Sequence, residues 1–293
     1  MTTPRILVVG EALIDIVDGV EYVGGSPANV ALGLGRLGAD VRLLTALGED
    51  ERGRRIAGHL DAAGARVLPE SFLLDRTSTA TATVGDDGSA HYEFRVEWRV
   101  SEASIPECDL MHVGSIACLL EPGASRVLEM VESVAARVGR VTFDPNIRPA
   151  LIDGSRMRER VERIAGLASA VKLSDEDAAL IYPGLAVGAV LDELLALGVA
   201  VAVVTRGAEG AVLASQTARV EVPAVVTHVV DTVGAGDSFM ATLVSGLSET
   251  ADWDISGDAL SRLGARCAAA AGITVGRAGA DLPDLAELES VRA

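Results

Sequence analysis

The sequence is poor in several residue types that mark particular classes of protein. Its 293 residues include only three cysteines, all far apart, so neither a disulfide framework nor a cysteine zinc site is indicated. The four histidines show no metal-ligand spacing. No run of about 18 apolar residues, the length of a membrane-spanning helix, is present, and the first residues lack a signal-peptide apolar region. We therefore expect a cytoplasmic protein.

Basic residues are scarce relative to acidic ones. The chain has 25 lysines and arginines against 42 aspartates and glutamates, which gives a net charge of −17. This charge repels phosphate backbones and anionic membranes, so we expect no binding to nucleic acid or to a membrane surface. An anionic substrate would have to be held by local groups. With 49% hydrophobic residues, the chain can bury a sizeable core.

Short β-branched runs alternate with helical patterns, which predicts parallel strands joined by helices. The predicted strands are apolar on both faces and lie at residues 6–9, 41–45, 110–113, 141–144, 170–173 and 199–205. Predicted helices between them include residues 26–37, 124–138 and 187–197. The sequence therefore predicts an α/β fold, with a three-layer, doubly wound and mainly parallel sheet.

One region departs from this alternation. Residues 76–99 are rich in threonine and aromatic side chains around a Gly-Asp-Asp-Gly sequence at 85–88, which predicts a β-hairpin. With residues 16–23 it would form a small sheet that covers the main domain as a lid. We therefore expect a lid at residues 16–23 and 76–100, and a main domain at residues 1–15, 24–75 and 101–293.

Residues 231–237 read Asp-Thr-Val-Gly-Ala-Gly-Asp, between a predicted strand at 225–230 and a predicted helix at 238–247. A glycine-rich turn into a helix leaves backbone N–H groups free at the positive end of the helix dipole, where an anion can bind. Asp237 would then lie close to a bound phosphoryl group and could accept a proton from an attacking hydroxyl. From this segment alone, a helix N-cap is an equally good interpretation of Asp237.

Residues 24–29, Gly-Gly-Ser-Pro-Ala-Asn, form a second glycine-rich entry to a helix. Ser26 as the N-cap and Pro27 as the first helical residue would explain part of it. A polar ligand close to the backbone would also explain the paired glycines and Asn29. The G-x-G-x-x-G pattern at 33–38 ends this helix instead of opening one, so it predicts close helix packing and a C-cap, not a dinucleotide site.

A Walker A sequence is absent, so a nucleotide would have to be bound in another way. Residues 205–210, Thr-Arg-Gly-Ala-Glu-Gly, follow the strand predicted at 199–205. Ligands of doubly wound sheets bind at the carboxyl ends of the strands, where this turn would lie. A simple turn between two strands is an equally good interpretation.

Taken together, these segments resemble the ribokinase-like carbohydrate kinase family, and most closely its fructokinase branch. Residues 231–239 are similar to the carboxy-terminal signature of the family and residues 24–29 to its amino-terminal signature, in the same order. Asp15 and residues 144–149, Asp-Pro-Asn-Ile-Arg-Pro, are also similar to fructokinases. The resemblance covers nearly the whole chain and implies an α/β domain with a β lid.

The resemblance also implies a role for each matching residue. Asp237 resembles the catalytic base, with an anion hole made by Gly234, Ala235 and Gly236. The residues that would bind the sugar are Asp15, Gly25, Asn29, Arg95 and Arg148. The residues that would bind the nucleotide are Lys172, Thr205, Gly207 and Gly210.

The expected cofactors are ATP, Mg2+ and K+. Many members of the family carry an N-x-x-E motif that helps to organise Mg2+, and this chain has Ser174 and Asp177 at the matching positions. Because Mg2+ keeps much of its hydration, an aspartate there could still hold metal-bound water. Asp231 and the loop at 274–279 resemble a monovalent-cation site.

The activity implied by the resemblance is transfer of the ATP γ-phosphoryl group to a small sugar, with fructose giving fructose 6-phosphate. Asp15 favours fructose over 2-keto-3-deoxygluconate. That compound, ribose or a nucleoside as the substrate, and a sugar-binding sensor without catalysis, are the alternatives, because the fold alone does not fix the function. A lid of a few strands would expose an apolar face, so we also expect a homodimer in which two lids pair.

Overall fold

The structure is a computed structural model that describes residues 3–84, 90–102, 105–137, 139–152, 157–225, 228–250, 253 and 255–291. The strands in these ranges are β1 (Arg5–Val9), β2 (Leu13–Val17), β3 (Val20–Gly24), β4 (Asp40–Leu44), β5 (Leu47–Gly48), β6 (Ala65–Val67), β7 (Phe72–Leu74), β8 (Thr79–Val84), β9 (Ala90–Arg95), β10 (Leu110–Gly114), β11 (Val141–Asp144), β12 (Ala170–Ser174), β13 (Val201–Thr205), β14 (Ala211–Ala214) and β15 (Arg219–Val222). The helices are α1 (Ser26–Arg36), α2 (Glu51–Ala62), α3 (Gly123–Arg137), α4 (Met157–Ala165), α5 (Asp175–Ile181), α6 (Val187–Ala196), α7 (Ala235–Ser248), α8 (Gly257–Val275) and α9 (Leu285–Ser290).

Nine strands form the central sheet, in the order β15-β14-β13-β12-β11-β10-β1-β4-β6. β14 is antiparallel to both of its neighbours, and the other pairs are parallel. Apolar side chains form a buried cluster on each face of the sheet, one packed by α3 to α6 and the other by α1, α2, α7 and α8. This three-layer arrangement confirms the predicted fold class. Within the described ranges, no helix combines the length and the apolar character needed to cross a membrane.

The strand predicted at residues 225–230 is wrong. In the described part of this stretch the chain is irregular. The N–H groups of Val230 and Asp231 donate to the carbonyl of Val275, at the end of α8, over 2.9 and 3.2 Å. Backbone groups bonded to a helix end cannot also pair with a strand. The following helix, α7, begins at Ala235 instead of residue 238.

A second, four-stranded sheet has the order β3-β2-β8-β9, as the predicted fold class requires. β2 and β3 are joined by Asp18 and Gly19, both with positive φ, which matches the twist of a tight hairpin. On one face, Ile14 is buried against the main core. Glu21 on β3 accepts a hydrogen bond from Arg52 of α2 at 2.9 Å, so this sheet is tied to the main domain. The predicted turn at 85–88 lies outside the described residues.

α1 and α7 approach each other closely because small residues lie between them. A Cβ atom on Gly33 would be 2.8 Å from Ala241 Cβ and 2.6 Å from Leu282 Cδ2. Gly35 similarly faces backbone atoms, with Ala63 O at 2.4 Å from a Cβ built on it. Gly33 and Gly35 of the pattern at 33–38 thus serve close packing, whereas Gly38, with a φ of 83°, follows the C-cap Leu37.

We expect Gly33→Ala to lower the free energy of unfolding by about 1–3 kcal/mol, because the added methyl overpacks a filled interface. Urea-induced unfolding measures this change. Gly58→Ala is the matched control: Gly58 is an exposed residue of α2, and a Cβ there has nothing within 4 Å. The free energy of unfolding of Gly58→Ala should rise by about 0.5–1 kcal/mol, because alanine has a better helix propensity than glycine. Equal responses of the two variants would contradict the packing argument.

Candidate active site

Residues 231–237 form a tight turn that leads into α7. Gly234 is the N-cap, with a left-handed φ of 78°, and a Cβ on it would be 2.7 Å from Ala280 Cβ. The Ala235 N–H donates to the Thr232 carbonyl at 3.3 Å and closes the turn. The first N–H groups of a helix have no acceptor within the helix. The N-terminus of α7 can therefore bind an anion.

Asp237 lies in the first turn of α7 and is only 7% exposed. Its Oδ1 accepts a hydrogen bond from Ser26 Oγ at 2.6 Å, and its Oδ2 accepts one from Asn29 Nδ2 at 2.8 Å. The two glycine-rich segments recognised in the sequence thus meet at one carboxylate. The N-cap interpretation of Asp237 is wrong, because Gly234 is the N-cap and the carboxylate bonds to α1.

The start of α1 is fixed by close contacts with the residues that follow β1. Its N-cap is Gly25, with a φ of 102°, and a Cβ there would be 2.6 Å from Glu11 O. Pro27 packs on Gly10, where a Cβ would be 2.2 Å from Pro27 Cγ. The capping role expected for Ser26 is therefore wrong: Ser26 is the first helical residue, and its hydroxyl donates across to α7.

Arg148 lies near enough to two carboxyls, those of Asp15 and Glu11, to lower the pKa of each by its positive charge. Asp15 packs its carboxylate over Gly24, where a Cβ would be 1.9 Å from Oδ2. Burial raises the pKa of Asp15 to about 6, and the positive charge of Arg148 partly opposes this shift. Arg148 also donates a hydrogen bond to Asn146 Oδ1 at 2.8 Å. The guanidinium of Arg148 is thus near enough to Asp15 to act on its charge.

Glu11 follows β1, is 5% exposed and accepts a hydrogen bond from the Ala117 N–H at 3.2 Å. Burial raises the pKa of Glu11 to about 7, and hydrogen bonds from Ser115 and Ala117 partly offset this. Ser115 and Asn146, which follow the adjacent strands β10 and β11, have positive φ values of 55° and 35°. Uncommon backbone conformations of this kind cluster at functional sites.

Arg95 is not part of this group. Its side chain is 74% exposed and forms an ion pair with Glu93 at 2.8 Å. The strand register pairs Asp15 with Ala80, and Ala80 with Phe94. Because successive side chains of a strand point to opposite faces, Arg95 lies on the other face of the small sheet from Asp15. The contact between Arg95 and the sugar that the resemblance implied is not supported by this arrangement.

A buried ion pair lies beside the first turn of α7. Lys172 Nζ is 2.9 Å from Asp144 Oδ2 and 3.7 Å from the position that a Cβ on Gly236 would take. Burial opposes the ammonium charge, but Asp144 and other nearby carboxylates raise the pKa of Lys172 above its usual value. Burial raises the pKa of Asp144 to about 6, with Lys172 opposing the shift. The ammonium adds positive charge next to the anion-binding end of α7.

Ser174 and Asp177 form the capping box of α5. Asp177 Oδ2 accepts from the Ser174 N–H at 3.1 Å, and its Oδ1 accepts from the Ile147 N–H at 2.8 Å. Both carboxylate oxygens are therefore bonded to backbone groups. In the part of the chain that the structure describes, no group of three or more histidine, cysteine, aspartate or glutamate side chains is arranged to hold a metal ion. The role of this pair toward Mg2+ stays a proposal.

The turn after β13 lies next to the end of β12, since Thr205 and Ser174 are register partners. Gly207 and Gly210 have φ values of 50° and 88°, and a Cβ on Gly210 would be 2.1 Å from Val222 O. The segment connects β13 with the antiparallel β14, so it is a turn between two strands. It also lies at the carboxyl end of β13, where ligands of such sheets bind.

Asp231 joins two loops beside the entry to α7. Its Oδ1 accepts from the Val233 N–H at 3.0 Å and its Oδ2 from the Gly279 N–H at 2.8 Å. These two hydrogen bonds lower the pKa of Asp231. The carboxylate is therefore ionised and fixed in orientation.

The family model described as pfkB family carbohydrate kinase matches residues 3–286 of the chain. The chain belongs to the pfkB family. It is 34% identical to a fructokinase from Klebsiella pneumoniae over 262 residues, 83% of this chain and 84% of that protein. Its fold is similar to that of a double-mutant fructokinase from Vibrio cholerae O395 in fructose, ADP and potassium ion bound form, with a TM-score of 0.83, 26% identity and 99% of each chain covered. It also shares the fold of aminoimidazole riboside kinase from Salmonella enterica, complexed with aminoimidazole riboside and an ATP analog, with a TM-score of 0.83, 24% identity, and 98% of this chain and 99% of that one covered.

Membership of the pfkB family confirms the resemblance drawn from the two glycine-rich motifs. No role at the site was assigned from the sequence to three residues that the structure places there: Ser26, Glu11 and Asp144. Ser26 could have been found from its spacing to Asn29, because residues three apart share one face of a helix. Asp144 is a charged residue at the end of a buried strand that is otherwise uncharged, which is also a signal. No sequence signal distinguishes Glu11.

We expect Glu11→Gln to change how the stability of this pfkB family member depends on pH. A carboxyl whose pKa rises from 4.5 to about 7 on folding holds its proton more tightly in the folded state. The free energy of unfolding that it contributes therefore falls as the pH rises through that window. The glutamine variant does not lose this contribution. Between pH 5 and pH 8, its free energy of unfolding should therefore rise by up to about 3 kcal/mol relative to that of the wild type. Urea-induced unfolding at the two pH values measures the change.

Asp109→Asn is the control for this measurement. Hydrogen bonds from Arg5 lower the pKa of Asp109, so its titration lies below the window. The difference in free energy of unfolding between Asp109→Asn and the wild type should therefore be the same at pH 5 and at pH 8. A Glu11→Gln variant with the pH slope of the wild type would contradict the buried, proton-binding state of Glu11.

Proposed function

We propose that this member of the pfkB family is a fructokinase, an ATP-dependent sugar kinase that transfers the γ-phosphoryl group to the primary hydroxyl of fructose. The observation that carries the proposal is the carboxylate of Asp237, buried at the N-terminus of α7 and bonded to α1. A base is thereby held next to the point where a phosphoryl group can bind.

In the proposed reaction, the primary hydroxyl oxygen of the sugar attacks the γ-phosphorus while its proton passes to Asp237. The bond from the γ-phosphorus to the bridging oxygen breaks, and ADP leaves with that electron pair. The N–H groups around Gly234, Ala235 and Gly236 would stabilise the charge on the transferred group. Lys172, close to Gly236, would add a fixed positive charge.

Fructose is proposed as the sugar because fructokinases are among the relatives, and one of them was solved with fructose bound. The fold alone would not decide this, since an aminoimidazole riboside kinase shares it. On this chain, Asp15, Gly25, Asn29 and Arg148 are the proposed sugar-binding residues. The half-buried carboxyl of Asp15 offers acceptors and the guanidinium of Arg148 offers donors, and both kinds of group match sugar hydroxyls.

Thr205, Gly207 and Gly210 are proposed to bind the nucleotide, at the carboxyl end of β13. Mg2+ is proposed to bind the phosphate oxygens and water, with Ser174 and Asp177 in its outer surroundings. K+ is proposed to bind beside Asp231 and the loop at 274–279, where an oriented and ionised carboxylate is available. Bound cations would neutralise part of the phosphate charge.

The small sheet is proposed to be a lid, formed by residues 16–23 and 76–100, that excludes water from the site. Its face opposite Ile14 exposes Val17, Val20 and Tyr22 to 44%, 52% and 51%. Exposed apolar patches mark interaction sites, so two copies are proposed to pair through this face. A cytoplasmic location is also proposed, and the three buried free thiols fit a reducing compartment.

We expect the wild type to sediment as a dimer of its 30.2 kDa chain, and Val20→Lys to sediment as a monomer because it charges the pairing face. Leu180→Lys is the matched control, since Leu180 is 43% exposed on α5, away from this sheet. It should leave the mass unchanged. A monomeric wild type at working concentration would argue against the lid-paired dimer.

We expect Asp237→Asn to fold and bind fructose but to lose about 10²- to 10⁴-fold in kcat, the usual contribution of a general base. ADP release measures turnover, and calorimetry measures sugar binding. Asp258→Asn, in the exposed first turn of α8, is the matched control and should keep full activity. Near-normal turnover of the Asp237→Asn variant would contradict the role of Asp237 as the base.

The same ADP-release assay, run with fructose, ribose, 2-keto-3-deoxygluconate and a nucleoside, tests the substrate. The proposal expects the highest kcat/KM with fructose. A higher kcat/KM with another compound would contradict fructose as the substrate, but it would still support a kinase. If the protein binds fructose but releases no ADP with any of these compounds, it is a sugar-binding sensor and not an enzyme.

A further inference from the structure

The hydroxyl of Ser26 has no capping role in α1. Serine at the start of a helix usually accepts a hydrogen bond from an N–H of the first turn. Here the N-cap is Gly25, and no side-chain capping bond is formed. The Ser26 hydroxyl instead donates to Asp237 Oδ1 at 2.6 Å, a short distance typical of a hydroxyl bonded to a carboxylate.

We propose that Ser26 is a positioning residue for the base Asp237, a role that rests on the function proposed above. Ser26 and Asn29 are three residues apart on α1, so they project from the same face of the helix. Each donates to a different oxygen of the same carboxylate, over 2.6 and 2.8 Å. Two donors at two oxygens fix both the position and the plane of the carboxylate.

Positioning in this way leaves the carboxylate able to react. An ionised carboxylate oxygen accepts more than one hydrogen bond, so Oδ1 and Oδ2 each keep acceptor capacity after bonding to α1. The substrate proton can therefore still be received by Asp237. The Ser26 hydroxyl donates to the base, so in this proposal it acts on the reaction through Asp237.

The donors are presented by a part of α1 that has little freedom to move. Pro27, the next residue, is in contact with Gly10, and Gly25 before it is packed against the Glu11 carbonyl. One turn beyond Asn29, the contact of Gly33 with Ala241 sets the distance between α1 and α7. Catalytic groups must be held within about 0.5 Å of the productive geometry, and rigid elements do this better than loops.

A different role for Ser26 would be direct binding of the sugar, with the bond to Asp237 replaced when the sugar arrives. The two roles predict opposite kinetic effects. Loss of a sugar contact made equally in the bound and transition states raises KM with kcat unchanged. Loss of positioning lowers kcat and leaves the affinity for sugar nearly the same.

The test compares Ser26→Ala, Ser26→Thr and Ser238→Ala by steady-state kinetics with fructose and ATP. Ser26→Ala should lose on the order of 10- to 100-fold in kcat, with the fructose KM changed less than about twofold. Ser26→Thr keeps the hydroxyl and should recover most of the lost kcat. Ser238 is the matched control, because it is buried next to Asp237 and its Oγ has no hydrogen-bond partner in the described structure. Its alanine variant should keep normal kinetics.

Thermal unfolding of each variant shows whether it is folded when assayed. A folded Ser26→Ala variant with normal kcat, or with a raised KM and normal kcat, would overturn the positioning role. So would a threonine variant that folds normally yet is no more active than the alanine variant. The Asp237→Asn variant separates this result from a failure of the proposed function. If Asp237→Asn is inactive while Ser26→Ala is normal, only the role of Ser26 is lost.

Discussion

The contact between the first turns of α1 and α7 is the constraint on which the site depends. It brings two donors of α1 to the carboxylate of Asp237, and it requires the helices to approach more closely than larger side chains would allow. Gly33 provides that approach on one helix and Ala241 on the other. The same contact places the start of α1, where sugar binding is proposed, beside the N-terminus of α7.

Local groups beside the start of α7 counter the negative charge of the whole molecule. The chain carries a net charge of −17, yet the proposed reaction needs it to bind a nucleoside triphosphate. The N-terminus of α7 and the buried ammonium of Lys172 supply local positive potential at one point. Burial also raises the pKa values of Glu11, Asp15 and Asp144, which lowers the negative charge that these carboxyls carry near neutral pH.

The layered fold and the two glycine-rich entries could be predicted from sequence because each depends on local patterns. Apolar runs on both strand faces predict a covered parallel sheet, and glycine-rich helix entries predict anion sites. The strand expected at 225–230 was wrong, and the N–H of its last residue, Val230, bonds to the Val275 carbonyl at the distant end of α8. The face on which Arg95 lies depends on register with β2, which local patterns do not specify. The capping role of Ser174 and Asp177 could have been predicted, since S-x-x-D at the start of a helix is a capping signature.

The bond between Ser26 and Asp237 joins residues that are 211 positions apart in the chain. During synthesis, α1 therefore leaves the ribosome long before the residue that it must hold, and the base has no fixed position until most of the chain exists. A nascent chain that has not reached residue 237 lacks the carboxylate that is proposed as the base. The same separation means that a chain cut anywhere between the two motifs would keep each signature sequence intact and lose the catalytic geometry once its parts separate.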